Sequence, residues 1–245
     1  MPSRDAEESV YQAASTGLKR WLKRAQDAVM APWRRFKAAP NPAAIASTVP
    51  AWQAEVDRIL AALTPALKEG WAAAHLPGDY DPQDPYIQAN LALTRNLLVR
   101  IPDEVHAKVV KEILEGTNAG ETTAQIAQRI DNLLDYEGQY KWPDRARLIA
   151  QTELTRHRNS SALAHGLLVE KQDKRVLHKR WDTTMDNRER AAHRLTNGQT
   201  RALGQPFDVE GVEMMAPGDP LAPPELVINC RCDLAILPGA ARIGA

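Results

Sequence analysis

The chain holds only two cysteines in 245 residues, at positions 230 and 232. That excludes a disulfide framework and fits folding in a reducing compartment. It has no excess of charge: 31 Lys and Arg balance 31 Asp and Glu. Global attraction to nucleic acid is therefore not the organising principle, although a local basic patch remains compatible. The N-terminus lacks the apolar core of a signal peptide. No run approaches the roughly 18 apolar residues of a membrane span. The expectation is a soluble protein made in a cytoplasm, with no membrane partner. Phenylalanine is scarce, at 2, against 6 tryptophans, so Trp takes the aromatic core or interface positions. No internal repeat at a solenoid period is present.

What is there suffices for a core, with 44% hydrophobic residues, in one large domain or two modest ones. Residues 1–40 read as an amphipathic helix. Lys19, Arg20, Lys23, Arg24, Arg34 and Arg35 alternate with Trp21, Leu22, Trp33 and Phe36. Eight basic and four acidic residues leave this stretch at +4. Such a helix suits nucleic acid, an acidic partner or a membrane surface, or it is a solvated arm or docking helix. The six basic residues are the candidate nucleic-acid contacts. Ala39-Pro40-Asn41-Pro42 ends the helix, because proline lacks the donor and clashes with the preceding turn.

Helical spacing resumes over 50–75 (Trp52, Val56, Ile59, Leu60, Leu63, Leu67). A loop at 77–85 follows. Further helices are expected through Leu91–Ile101, ending near Pro102, and through Val105–Leu114, punctuated by Gly116 and Gly120. Thr122-Thr123-Ala124-Gln125 has the form of a capping box. These stripes are read as ordinary core. From Pro143 a long helix carries Arg145, Ile149, Thr152, Arg156, Asn159 and Leu163 on one face. That face is too polar for a core stripe, so its side chains must bond to another element, since a buried unpaired charge is costly. The arginines of 186–190 are the candidate partners. Gly166 is a C-cap or a packing glycine.

Beyond it the pattern changes to period two. Val176, His178 and Arg180 face one way and Leu177, Lys179 and Trp181 the other, as in a strand. A short helix is expected over 190–194, a turn at Asn197-Gly198, and a hairpin through Phe207–Val209, Glu210-Gly211 and Val212–Met214. Leu226–Ile228 and Leu234–Ile236 are expected as short strands flanking the cysteines. The tail Gly239–Ala245 is expected to fray. The fold class is α+β: a helical N-terminal region followed by a small α+β C-terminal domain with a long helix and short antiparallel strands. The expected division is a basic helical arm at 1–48, a helical docking region at 49–104 and a C-terminal domain at 105–240.

The densest polar chemistry lies between Lys179 and Asp233. A structural network of Arg145, Thr152, Glu153, Asn159, Trp181, Asp186, Arg188, Arg190, His193 and Asn229 is expected to hold the C-terminal domain together. His193, Cys230 and Cys232 are candidate zinc ligands, because thiolate and imidazole suit a tetrahedral site. Residues two apart in a strand face the same side, so both sulfurs can converge. One intervening residue is nonetheless shorter than the usual zinc spacing, and His178, Asp182 or Asp186 would have to supply the fourth ligand. The alternative is a pair of reduced structural thiols, with no cofactor. A catalytic reading also exists: a nucleic-acid hydrolase with His193 as base and Arg188 or Arg190 on the phosphate. Against it, no nucleophile, phosphate loop or carboxylate cluster is evident, so no catalytic residue is assigned.

An ordered set of pieces carries a family resemblance. They are Arg145, Ile149-Ala150-Gln151-Thr152-Glu153, Asn159, Gly166, Trp181, Asp186-Asn187-Arg188-Glu189-Arg190 and His193. They continue with Asn197-Gly198-Gln199, Pro206-Phe207, Pro217-Gly218-Asp219-Pro220, Glu225 and Ile228-Asn229-Cys230-Arg231-Cys232. Over roughly 105–236 this resembles the phage head morphogenesis domain, the family of phage Mu protein F. The departure is Gln151, where the family often carries Arg. The resemblance implies a minor capsid protein of a tailed double-stranded DNA phage or a prophage, and the reading of the polar cluster adds the expectation that it is not an enzyme. The resemblance also implies portal protein and major capsid or scaffold protein as partners, non-specific contact with phage DNA, and a place in the virion after assembly in the host cytoplasm.

Overall fold

The computed structural model describes residues 3–138 and 140–237; the Gly239–Ala245 tail lies outside the described residues. Helices come first: α1 (Arg4–Phe36), a 3-10 segment (Pro42–Thr48), α2 (Val49–Ala62), α3 (Thr64–Ala73), α4 (Pro85–Leu98), α5 (Ile101–Asn118), α6 (Thr123–Leu134) and α7 (Trp142–Asp173). Strands and short helices follow: β1 (His178–Asp182), α8 (Ala191–Thr196), β2 (Thr200–Ala202), β3 (Phe207–Val209), β4 (Val212–Met214), α9 (Pro224–Val227) and β5 (Asp233–Leu237). The fold is α+β, as expected.

Local chemistry sets most boundaries. The Thr122 hydroxyl accepts from the Gln125 amide while Gln125 reaches back, so the capping box at α6 is formed. The hairpin turn puts Glu210 and Gly211 at φ 52 and 84, the two left-handed positions that match strand twist. Three expectations are corrected. The helix over 50–75 is two helices, since Pro65 starts α3 rather than continuing α2. Ile101-Pro102 opens α5 instead of closing α4. Leu226–Ile228 is not a strand: Pro223-Pro224 presets a helical start, and α9 takes its place.

The chain forms two compact units built from discontinuous segments. One contains the N-terminal stretch to Val10, Ala62–Thr94 and the chain from Leu148 on; the other contains Tyr11–Ala61 and Arg95–Arg147. In the second unit α1 is no free arm. Its Ala14, Leu18, Trp21, Leu22, Ala25 and Val29 are fully buried. Trp21 packs on Trp52 at 5.4 Å and donates to Thr48 Oγ1 at 3.0 Å. Full burial of an indole contributes several kcal/mol (order of magnitude), so α1 is a core element with one solvated basic face.

In the first unit a three-stranded antiparallel sheet runs β2-β1-β5, with Arg180 opposite both Thr200 and Ala235. The alternation along β1 is as expected, with Lys179 and Trp181 inward. Trp181 meets Phe207 and His193 edge-on, each at 5.4 Å, in a core that includes Leu163, Phe207, Met214, Cys230 and Cys232. Gly166 lies mid-helix and is a packing glycine: a Cβ there would stand 2.9 Å from Leu203 Cδ1.

Candidate functional site

α7 is the platform. Thr152, Thr155, Arg156 and Asn159 recur at three- and four-residue spacing and share a face. That face holds the backbone of Asn229–Leu234. Thr152 Oγ1 accepts from Asn229 N at 3.0 Å, and Thr155 Oγ1 donates to Cys230 O at 2.7 Å. Asn159 Nδ2 donates to Cys232 O at 2.9 Å and to Pro217 O at 3.1 Å, while its Oδ1 accepts from Leu234 N at 3.0 Å. Arg158 pairs with Asp233. Asn229 sits at φ 61, a left-handed position that Asn tolerates well, and turns the chain from α9 into the cysteine segment.

Glu153 and Arg156 form a buried pair, with Nη1 at 2.8 and 2.7 Å from the two carboxylate oxygens. Glu153 also accepts from Thr94 at 2.9 Å, and Arg156 Nε donates to Gly218 O at 3.0 Å. Removing one partner of such a pair costs about 3–5 kcal/mol. Gly218 is at φ 84, and a Cβ there would stand 3.0 Å from Arg156 Cα, so Pro217-Gly218-Asp219-Pro220 requires its glycine. His157 is fully buried; burial, then the Arg156 charge, lower its pKa to about 3. It is neutral at ordinary pH, so its 3.7 Å approach to Glu153 is not an ion pair.

Asp186 and Arg231 form a bidentate pair at 2.5 and 2.8 Å. The Arg231 hydrogen bonds hold the Asp186 carboxyl well below the usual carboxylate range. Arg188 is largely exposed, 3.7 Å from Asp186. Arg190 Nη2 donates to Ile228 O at 2.5 Å.

His193 is fully buried, and its Nδ1 faces three polar atoms: Glu189 Oε1 at 3.2 Å, Cys232 Sγ at 3.3 Å and Cys230 Sγ at 3.8 Å. Cys232 Sγ also lies 3.8 Å from Glu189 Oε1. One donor atom from each of His193, Cys230 and Cys232 falls within 4.8 Å of the others. Both cysteines are free thiols. A hydrogen bond from Cys232, with help from His193, holds Cys230 below the usual thiol range against its burial. The same bond, then burial, push Cys232 up. Burial pulls His193 down, but the hydrogen bond and charge of Cys230 and the charge of Glu189 outweigh it, so its net shift is upward.

The residues expected to form one network are thus divided. Thr152, Glu153, Asn159 and Asn229 belong to the α7 contacts, with Arg156 and not the 186–190 arginines balancing Glu153. Asp186 and Arg188 belong with Arg231, and Arg190 caps a carbonyl. Trp181 contributes its ring to the core. Arg145 pairs with Glu104 in the other unit. The suggested fourth ligands are committed elsewhere or turned away: Asp182 pairs with Arg180, Asp186 with Arg231, and His178 is exposed. Glu189, missed in the sequence, stands just before Arg190, the N-cap of α8, and its carboxylate reaches His193 in the first turn of that helix. Among the basic residues of α1, Lys19, Arg20, Lys23 and Arg24 line a groove of about 490 Å³ beside Tyr136. Lys19 approaches Glu137 at 3.9 Å and Arg20 approaches Glu55 at 3.7 Å. Lys23 and Arg34 both reach Asp27 at 2.6 Å, while Arg24 and Arg35 are exposed.

The arrangement defines an α+β protein in which Thr152, Thr155 and Asn159 of α7 hold the backbone of the cysteine segment. Residues 103–235, more than half of the chain, match the family model described as Phage Mu protein F like protein. The chain belongs to this family of phage head morphogenesis proteins. Membership carries a phage-head, minor-capsid role of a typically structural kind. No curated protein and no solved structure matches the chain. Among the described residues no helix is long and apolar enough to cross a membrane.

Proposed function

We propose that this chain is a non-enzymatic minor head protein of a tailed double-stranded DNA phage or a prophage. It associates with the portal protein and with major capsid or scaffold protein in the head interior. It assembles in the host cytoplasm and stays in the virion. The observation that carries the reading is the fastening of Asn229–Leu234 to α7 through Thr152, Thr155 and Asn159. Of the polar residues that would otherwise suggest catalysis, Glu153 and Asp186 are paired with arginines, Arg190 holds a backbone carbonyl and His193 is buried against Glu189 and the thiols, which leaves only Arg188 largely exposed. The solvated basic face of α1 meets packaged DNA without sequence preference, through phosphate contacts.

The hydrolase alternative has less support. A general base must come within hydrogen-bond reach of the proton it takes, and His193 is fully buried behind Glu189 and the two thiols. Arg190 is bound to Ile228 O. Incubation with DNA and RNA, with and without Mg²⁺ or Zn²⁺, is expected to give no cleavage.

Co-expression with the portal protein of the same phage or prophage tests the main reading. Tagged chain is expected to retain portal protein, and purified heads to contain the chain. Its absence from both sinks the reading. Deleting 1–48 is unsuitable as a probe, because it removes Trp21 and Leu22 from the core; exchanging Lys19, Arg20, Lys23 and Arg24 for Glu leaves that core intact.

A further inference from the structure

We propose that Glu189, His193, Cys230 and Cys232 form a tetrahedral zinc site, with Glu189 as the fourth ligand, and that the ion clamps the cysteine segment to the start of α8. The proposal is independent of the head-assembly reading and concerns only the chemistry of this cluster.

The donor set suits zinc. Two thiolates, an imidazole and a carboxylate are all established Zn²⁺ ligands. Zn–S near 2.3 Å and Zn–N or Zn–O near 2.0 Å place the corners of a tetrahedron about 3.3–3.8 Å apart. The separations around His193 Nδ1 are 3.2 Å to Glu189 Oε1, 3.3 Å to Cys232 Sγ and 3.8 Å to Cys230 Sγ. Cys232 Sγ to Glu189 Oε1 adds 3.8 Å. These four are coordination-edge distances; Glu189 lies outside the set whose donor atoms all fall within 4.8 Å of one another, so its carboxylate has to swing toward Cys230 to close the tetrahedron. The four side chains converge in a buried place where a carboxylate beside two sulfurs has little reason to be.

The buried atoms point the same way. Glu189 Oε2 has no hydrogen-bond partner, and the Glu189 side chain is only 3% exposed. A buried carboxylate oxygen without a donor is costly, and rotation of the carboxylate toward a cation between the sulfurs removes that cost.

The surroundings complete the site. The single residue between the cysteines is what the geometry needs. Arg231 between them is engaged with Asp186, and both sulfurs approach His193 Nδ1. Thr155 and Asn159 fix the Cys230 and Cys232 carbonyls from α7, which orients both sulfurs before any ion arrives. Binding displaces the two thiol protons. Zn²⁺ with two thiolates, one carboxylate and a neutral imidazole carries −1. The ion's place is structural: with four protein donors no position is left open for water or substrate.

The test uses the full chain, purified under reducing conditions without chelator. Elemental analysis is expected to give about one zinc per chain. Stripping and reloading with Co²⁺ is expected to give the intense visible bands of a tetrahedral ion together with near-ultraviolet thiolate charge transfer. Cys230→Ser and Cys232→Ser should each weaken the charge-transfer band. Glu189→Gln, which keeps the side chain's size, should leave that band but lower zinc affinity by at least the roughly 10–100-fold that losing even an outer-shell partner costs. Asp182→Asn should change nothing, since Asp182 is paired with Arg180. Absence of stoichiometric zinc, together with a Co²⁺ spectrum lacking charge transfer, overturns the site. Zinc present but held equally well by Glu189→Gln overturns the four-donor assignment. If the serine variants do not fold, the Glu189→Gln comparison and the wild-type cobalt spectrum still decide.

Discussion

The side-chain amide of Asn159 donates to the carbonyl of Cys232 at 2.9 Å, across 73 positions of sequence. Its Oδ1 accepts from Leu234 N, so one planar group spans the peptide pair leading into β5. Asn159→Ala leaves Cys232 O, Leu234 N and Pro217 O without this partner. At about 1–3 kcal/mol for each unsatisfied buried group, the loss is roughly 3 kcal/mol or more. A fall in the urea midpoint with an unchanged slope is the expected result; a variant as stable as the wild type would mean that these bonds do not hold the segment.

Two helical glycines separate steric necessity from tolerance. A Cβ on Gly70 would stand 2.0 Å from the carbonyl oxygen of Arg158, whereas on Gly166 it would meet the end of the Leu203 side chain at 2.9 Å. Alanine in a helix gains about 1 kcal/mol over glycine. At Gly70 the backbone clash outweighs that gain, and a net loss of about 1–3 kcal/mol is expected. At Gly166 rotation of Leu203 relieves the contact, and the change stays within about 1 kcal/mol. Thermal unfolding of the two alanine variants checks the order.

Acid should destabilise the protein through His157. Its pKa is lowered from 6.5 to about 3 by burial, then by the charge of Arg156, with Glu153 and Thr94 as its other polar neighbours. Between these values the unfolded chain binds the proton and the folded chain does not. Stability therefore falls as pH drops from about 6.5 toward 3, and the contribution is flat above 6.5. Lys179 acts at the other end. Burial lowers it from 10.5 to about 8 against the opposing charge of Asp219, so stability rises with pH between about 8 and 10.5. Denaturant midpoints across pH, repeated on His157→Gln, should lose most of the acid limb.

The basic face of α1 predicts salt-sensitive DNA retention. Several of its cations already have acidic neighbours, so few phosphates are neutralised and binding should be weak. Each phosphate contact contributes a slope of about −0.9 in log affinity against log salt. A gel shift is expected to fade between about 50 and 200 mM salt, and to vanish in the Lys19, Arg20, Lys23 and Arg24 charge-reversed chain. Binding insensitive to salt contradicts the proposed contact.

Much of this fold was legible along the chain. The apolar stripes gave the helices, Thr122 and Gln125 the start of α6, Glu210-Gly211 the hairpin, and the alternation through Trp181 the strand β1. The over-polar face of α7 announced that it must bond to something. These are local rules, set by bond geometry and by side-chain period within one or two turns.

Partners were decided only by packing. Sequence spacing made His193, Cys230 and Cys232 a candidate set, but the tertiary fold put Glu189, and not Asp182 or Asp186, beside them. It also gave Arg231 to Asp186 and Arg156 to Glu153, and buried the α1 stripe that the sequence left free to be an arm. The physical reason is distance along the chain. Periodicity tells which way a side chain points from its own helix or strand, whereas its partner, tens of residues away, is chosen by how the elements close around a shared core.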